Sequence, residues 1–347
     1  MIVWGYQMNS YIGIKHTISS DSDQDLLDGL AKLKSLMIWE EKYDGIFCTV
    51  VVKEDSVDLI SRTGKLKEND DLQSLRDYIL KVFPAGTILT GELAFGSQSA
   101  TKLYKELGHR SIVIFDIIQY EGKSFAGSCD VLSRKRTLLE VFGRVNPNSE
   151  WVSLSEFTIF NMSDTSHRAE VLDWYKEVIA KGGEGLVGKI ATDTFSKFGE
   201  KNPNYYRIKK HVTMDYIITG FTVSKSSDYQ LKGYVGGVIG SLLTEDSKVT
   251  KKDKIVTECT VTDGKNLTSI ASPIKVPEGF KLIEKVTIGS MDDSNREIFC
   301  SNGKAFLGEV MECAGFELFT SGSLRHPSFV RLRPDKKMEE CVFEPEE

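Results

Sequence analysis

An α+β domain followed by a small β-barrel is the fold class predicted by this 347-residue sequence. Two observations carry the prediction. Up to about residue 211 the chain alternates between helical periodicity and β-rich runs; from about 213 it turns to short strands separated by Gly, Asp and Ser. The length fits, because 347 residues can supply two domains with a core each.

The elements follow in order. "DLLDGLAKLKSL" puts leucine at 26, 27, 30, 33 and 36, which predicts an amphipathic helix opened by Ser and Asp caps. β-rich runs follow at 46–52, 57–61 and 87–93, with a helix near 72–83 built on Leu72, Leu75, Ile79, Leu80 and Phe83. "SIVIFDII" (111–118) reads as a buried strand. "SRKRTLLEVF" and "HRAEVLDWYKEVIAK" read as helices, the second running directly into "GGEGLVGK". The first domain is expected to span 1–211, ending at "YYRIKKH". Beyond it, "DYIITGFTV", "GYVGGVIGSLL", "KIVTECTV", "AFLGEVMEC" and "SFVRLR" read as strands, and five or so fit an OB-fold over 212–337. The polar stretch near 244–283 is long for a barrel loop and reads as an insertion. The last ten residues, "MEECVFEPEE", read as a solvated acidic tail, 338–347.

Composition excludes several classes. No stretch reaches the apolar length of a membrane span, and "MIVWGYQMNSYIGIKHT" lacks the basic-then-apolar plan of a secretory signal. The six cysteines are scattered without a CxxC pair, so neither a zinc site nor a disulfide framework is indicated, and an intracellular, reduced protein is expected. A net charge of −6 argues against a uniformly basic coat. It leaves room for a local stripe, and residues 325–337, "RHPSFVRLRPDKK", hold five basic residues against one aspartate. Such a stripe suits a polyanion.

The chemistry centres on "EEKYDGIFCTV" (40–50), where Lys42 stands just before an apolar β-rich run. A lysine there is either a solvated strand end or a nucleophile, and the nucleophile needs desolvation or nearby positive charge to favour its neutral amine. Down the chain stand, in order, "SRTG" (Arg62), "TGELAFG" (Glu92), "IFDII" (Phe115), "GGEGLVGK" (Glu184, Lys189), "YYRIKK" (Arg207, Lys209) and "RLRPDK" (Arg333, Asp335, Lys336). Arg207 and Lys209, two apart on a strand, would share a face.

This ordered set, over roughly residues 38–337, resembles the covalent nucleotidyltransferase superfamily of ATP-dependent DNA ligases, RNA ligases and mRNA capping enzymes. The ending "RPDK" and the stretches "GSMDDSNREI" and "FLGEVMEC" resemble the DNA ligases in particular, in the compact two-domain form common among viruses and phages. The resemblance implies an ATP-grasp-like adenylation domain followed by the OB-fold barrel. It makes Lys42 the nucleophile that takes AMP from ATP, with Arg207 and Lys209 gripping the α-phosphate and Lys189 reaching a phosphate. Glu184 and Glu92 would hold Mg²⁺ or Mn²⁺, Glu92 alternatively meeting the ribose or a water. Phe115 would stack on the adenine. Glu40 and Glu41 would read its amino group through side chain or backbone, and Arg62 would touch the ribose or the 5′-phosphate of the nucleic acid. Arg333, Asp335 and Lys336 would serve the adenylation step by orienting pyrophosphate. Arg325 and Arg331, with Arg62, would contact DNA.

Two departures stand out: Arg207 where the family usually has lysine, and Thr90 where it commonly has Asp. The implied partner is nicked duplex DNA, gripped by a monomer mainly through phosphates. No separate N-terminal DNA-binding domain is expected, since about forty residues precede the lysine. The barrel would swing about a hinge near 210–215, and the 244–283 insertion, with "SKVTKKDK", would serve as a latch or be a passive hairpin. An RNA ligase, or a non-catalytic OB-fold nucleic-acid-binding module, are the alternatives. Covalent labelling by ATP, and then sealing of DNA against RNA strands, separates them.

Overall fold

The computed structural model describes residues 10–20, 22–93, 108–194, 197–210 and 212–344. The chain divides into two compact units, Met1–Lys209 and Lys210–Glu347.

In the first unit the order is β1 (Gly13–Ile18), α1 (Asp23–Ala31), β2 (Leu36–Glu41), β3 (Ile46–Val52), β4 (Val57–Ser61), α2 (Gln73–Val82), β5 (Thr87–Leu93) and β6 (Ile112–Tyr120). Then come β7 (Lys123–Ser124), α3 (Val131–Val145), β8 (Val152–Leu154), β9 (Phe157–Asn161), α4 (Thr165–Ala180), β10 (Gly185–Ile190) and β11 (Lys201–Lys209). These strands form two sheets. One has the order β1-β11-β10-β2-β9; the other runs β4-β3-β5-β6-β7, with β8 beside β6.

Each sheet buries one face under helices. Leu26 and Leu30 of α1 and Val171, Leu172 and Tyr175 of α4 pack on Met37, Trp39, Leu186 and Ile208 of the first sheet. Leu75 and Ile79 of α2 and Leu138 and Val141 of α3 cover Val50, Leu59, Leu89 and Ile114 of the second. The helices begin where short polar side chains cap them: Asp130 accepts from Ser133 N, and Asp164 from Ser166 N.

The leucine periodicity misplaces the end of α1. The helix stops at Ala31, and Leu36 opens β2. The ladder of β2 with β10 and β9 supplies hydrogen bonds along 36–41 that a continued helix would forgo.

The second unit runs β12 (Val212–Val223), α5 (Ser227–Lys232), β13 (Val235–Glu245), β14 (Glu258–Thr262), β15 (Leu267–Ala271), β16 (Phe280–Ile288), α6 (Asp293–Asn302), β17 (Val310–Gly315) and β18 (Ser328–Leu332). The pairing order is β15-β14-β12-β13-β16, with β17 joining β12 to β18, and among the described residues it does not close into a ring. The core gathers Tyr216, Phe221, Leu242, Leu282, Phe299 and Met311.

Three expectations change here. The stretch 244–283 is no plain insertion: it holds β14, β15 and the start of β16, and β14 joins β12 at Gly220↔Thr260. A Cβ on Gly220 would come 2.4 Å from Thr260 Oγ1, so the glycine permits that close approach. "DSNREIFCSN", unassigned by periodicity, is α6, capped by Asp292 on Asn295 N. The expected acidic tail packs as far as it is described: Cys341 is 2% exposed, and Phe343 N donates to Leu243 O at 2.7 Å. Met338, Cys341, Val342 and Phe343 pack on the core, while Glu339, Glu340 and Glu344 are exposed.

Candidate active site

Residues 42–45 hand the chain from one sheet of the first unit to the other, since β2 ends at Glu41 and β3 begins at Ile46. Gly45 is required at that crossing, because a Cβ there would sit 2.1 Å from Leu93 O. Lys42 is fixed twice. Its backbone N–H donates to Gly185 O at 2.8 Å, and its ammonium is ion-paired with the Glu184 carboxylate. Gly185 takes a φ of +137°, and a Cβ there would lie 2.0 Å from Ile208 O, so no other residue fits between Lys42 and β11.

A cleft of about 400 Å³ opens between the two sheets beside Lys42, within the usual range for a small-molecule site. It is lined by Glu40, Glu41, Lys42, Arg62, Glu92, Phe115, Lys189 and Arg207, among others. Eight predicted site residues from five strands and two connections therefore line one cleft. Glu184 joins them through Lys42. Lys209 pairs in register with Gly185, and its pKa is pulled down to about 8 by burial and by the charges of Arg207 and Lys42, with Glu184 opposing. Arg207 is held by Thr17, whose Oγ1 accepts from Nε at 2.8 Å. The arginine keeps its charge at the cleft with one donor tethered.

Glu92, on β5 opposite Phe47, has its pKa raised to about 7. Burial is the main cause; Lys42 opposes it, and the negative charges of Glu184 and Asp44 add to the rise. The Arg62 guanidinium lies 4.2 Å from the centroid of the Tyr11 ring, which meets Phe47 edge-on at 5.0 Å. Phe115, in a run that reads as core, is half-buried at the cleft, with Lys189 Nζ 5.0 Å from its ring centroid.

Glu40 and Lys189 are bound to each other at the cleft wall. Glu40 is 2% exposed, and its carboxylate is held by the ammoniums of both Lys135 and Lys189. Lys189, expected to reach a phosphate, thus spends its charge on Glu40. Burial pushes the Glu40 carboxyl up, but the two lysines outweigh it and hold the pKa below the usual carboxylate range.

Beneath this layer lies a second buried pair. Arg134 Nε and Nη2 donate to the two Asp116 oxygens at 2.9 and 3.0 Å, and Nη1 donates to Cys129 O at 2.9 Å. Sequence reasoning missed Asp116, Arg134 and Lys135. The signal for Asp116 was present, as a charge inside an apolar run must find a partner; "SRKR" did not reveal which of its cations turned inward.

The remaining predicted residues belong to the second unit. Arg333 Nη1 lies 3.3 Å and Lys336 Nζ 2.7 Å from Asp215 Oδ2, and Arg333 Nη2 meets Asp335 at 2.9 Å. Asp215, on β12, is a further residue the sequence did not single out. Arg331 Nε meets Glu312 at 2.7 Å with its side chain 61% exposed, and Arg325 approaches Glu317 at 3.9 Å. Among the described residues no group of three or more His, Cys, Asp or Glu side chains gathers as a metal cluster, all six cysteines are free thiols, and no helix is long and apolar enough to cross a membrane.

A lysine amine, acids, flanking cations and an aromatic ring thus gather at one cleft of the first unit. The model of the ATP dependent DNA ligase domain family matches residues 21–209, more than half of the chain, and the chain belongs to that family. It is 27% identical to a DNA ligase of Monkeypox virus over 90% of its length, and 25% identical to one of Saccharolobus solfataricus over 90%. It spans 57% and 55% of those relatives' own lengths. Among solved structures, "Pmar-Lig_Pre." superposes with a TM-score of 0.63 at 16% identity, covering 92% of this chain and 68% of that one. That likeness concerns the fold.

Proposed function

We propose that the chain seals 5′-phosphate/3′-hydroxyl nicks in duplex DNA at the expense of ATP. The observation that carries this reading is Lys42, ion-paired to Glu184 at the mouth of a nucleotide-sized cleft. Lys42 Nζ attacks the α-phosphorus of ATP; the N–P bond forms as the bond to the pyrophosphate oxygen breaks. The ammonium must lose a proton first, and Glu184 is the hydrogen-bonded group placed to receive it. An oxygen of the nick's 5′-phosphate then attacks the lysyl-AMP phosphorus and frees Lys42. Finally the 3′-hydroxyl attacks the 5′-phosphorus and expels AMP.

Phosphoryl transfer asks for alignment and charge neutralisation more than covalent machinery. Arg207 and Lys209 supply positive charge at the reacting phosphate, Phe115 a face for the base, and Arg62 a contact to the ribose or to the nick's phosphate. Glu41 lies beside the base. Glu92 and Glu184 fit a divalent metal: their oxygens are hard donors, and the pKa of Glu92 is raised mainly by burial, with the negative charge of Glu184 adding to it, both of which a cation would offset. Mg²⁺ or Mn²⁺, keeping waters and phosphate oxygens as its other ligands, would supply charge neutralisation there.

The second unit is read as an OB-fold. Its Arg333, Asp335 and Lys336, organised by Asp215, serve the adenylation step through pyrophosphate. Arg325 and Arg331 contribute to DNA affinity, and the chain acts as a monomer. Incubation with α-labelled ATP should give a covalent adduct on a denaturing gel that GTP does not give. The protein should then seal a nicked DNA duplex faster than an RNA one, with affinity falling as salt rises. Absence of the adduct, or adduct formation by Lys42→Ala, overturns the reading.

A further inference from the structure

Lys135 lies outside the cleft yet touches two parts of its wall. It is 1% exposed on α3, its ammonium holds the Glu40 carboxylate, and it donates to the backbone oxygen of Phe115 at 2.7 Å. Glu40 in turn binds Lys189, whose ammonium faces the Phe115 ring. Glu40, Phe115 and Lys189 line the cleft. One buried amine therefore joins a carboxylate on β2 of one sheet to the backbone of β6 in the other.

From this junction we infer that Lys135 is a positioning residue for base selection, acting through Glu40 and Phe115; the inference rests on the nucleotide-binding reading of the cleft. A carboxylate offers about four acceptor sites when ionised and becomes a donor when protonated. Lys135 and Lys189 each occupy one oxygen of Glu40, which keeps the group ionised and fixes its plane. The rest of its acceptor capacity faces a base presenting an amino group and repels one presenting a carbonyl. Lys189 alone would leave one oxygen unheld, the carboxyl free to rotate or take a proton, and the Phe115 carbonyl without its partner. The wall would then accept an adenine or a guanine edge with less discrimination.

The test compares wild type, Lys135→Met and Lys135→Arg. In each, equilibrium binding of ATP and GTP is measured in a Lys42→Ala background, and covalent labelling in the Lys42 form. Lys135→Met should lower the ATP-over-GTP preference by about tenfold, raise KM for ATP more than it lowers kcat, and move the acid limb of ATP binding upward. Lys135→Arg should restore most of the preference. So that the test survives a methionine variant that fails to fold, Glu40→Gln is measured beside it. If Lys135 acts through Glu40, neutralising the carboxylate with Lys135 in place should lower the ATP-over-GTP preference by a similar factor. An unchanged ATP-to-GTP ratio in folded Lys135→Met, or in Glu40→Gln, overturns the inference. A wild type that binds ATP selectively but forms no adduct overturns the ligase reading instead and leaves the selectivity comparison intact.

Discussion

The ammonium of Lys42 and the carboxylate of Glu184 meet across 142 residues of chain, brought together because Lys42 N–H bonds the carbonyl of Gly185, the neighbour of Glu184. Backbone pairing thus sets the side-chain pair. Lys42→Ala should abolish the covalent adduct, a loss of about a thousandfold or more. The two side chains are 20% and 16% exposed, so freeing Glu184 costs stability by only about 1 kcal/mol. Labelling assays and thermal melts on the same preparation check both halves.

Gly185→Ala should act on both residues at once. The added carbon meets Ile208 O and the backbone adopts a φ that L side chains avoid. A stability loss of about 2–4 kcal/mol is expected, together with a fall in adduct formation at temperatures where the variant is still folded. Urea denaturation and labelling at 15–25 °C, a range set by roughly where small domains are most stable, measure the two effects.

The pH profile of adenylation follows from two shifted groups. In the proposed reaction Glu92, its pKa raised to about 7, would act ionised toward cation or ribose, and Lys209, its pKa lowered to about 8, would act charged toward phosphate. kcat/KM for ATP, which reports the free protein, should rise through the first value and fall above the second. Glu92→Gln should remove the acid limb along with most of the rate, and Lys209→Arg should carry the alkaline limb upward.

Stability should respond to Glu92 with a definite sign. Its folded pKa, about 7, exceeds the ordinary 4.5, so folding favours the protonated form. That contribution is complete below pH 4.5 and is lost as pH rises to about 7, at most about 3 kcal/mol. Glu92→Gln should flatten this decline, as chemical denaturation at pH 5 and pH 8 would report.

The Asp116–Arg134 pair should be costly to break singly. Arg134 is fully buried and Asp116 4% exposed, so Asp116→Ala strands a guanidinium in the core at about 3–5 kcal/mol. Asp116→Leu/Arg134→Met should lose less than either single change, which a double-variant denaturation cycle measures.

How far the sequence could be read depends on the range of the interactions. Lys42, Glu92, Phe115, Glu184 and Arg207 each sit in a local motif, and the strands carrying them have the alternation and apolar runs that mark sheets. α3 and α4 were legible because caps and periodicity are local. Lys135 was not: its meaning depends on Glu40, 95 residues away, and a lysine in "SRKR" looks like any solvated helix cation. α6 escaped because its two buried anchors, Arg296 and Phe299, make too thin an apolar stripe. In the same way, α1 seemed longer than it is because Leu36 continued its spacing while belonging to a strand.

Lys42 rides on a four-residue strap between two β-layers rather than inside either one. Its aim therefore reports the register of both layers at once, and a lesion far out on either one can silence the amine without touching it. Truncation mapping of such a chain would overstate the size of its chemical centre, because distant edges serve as the jig that holds the tool.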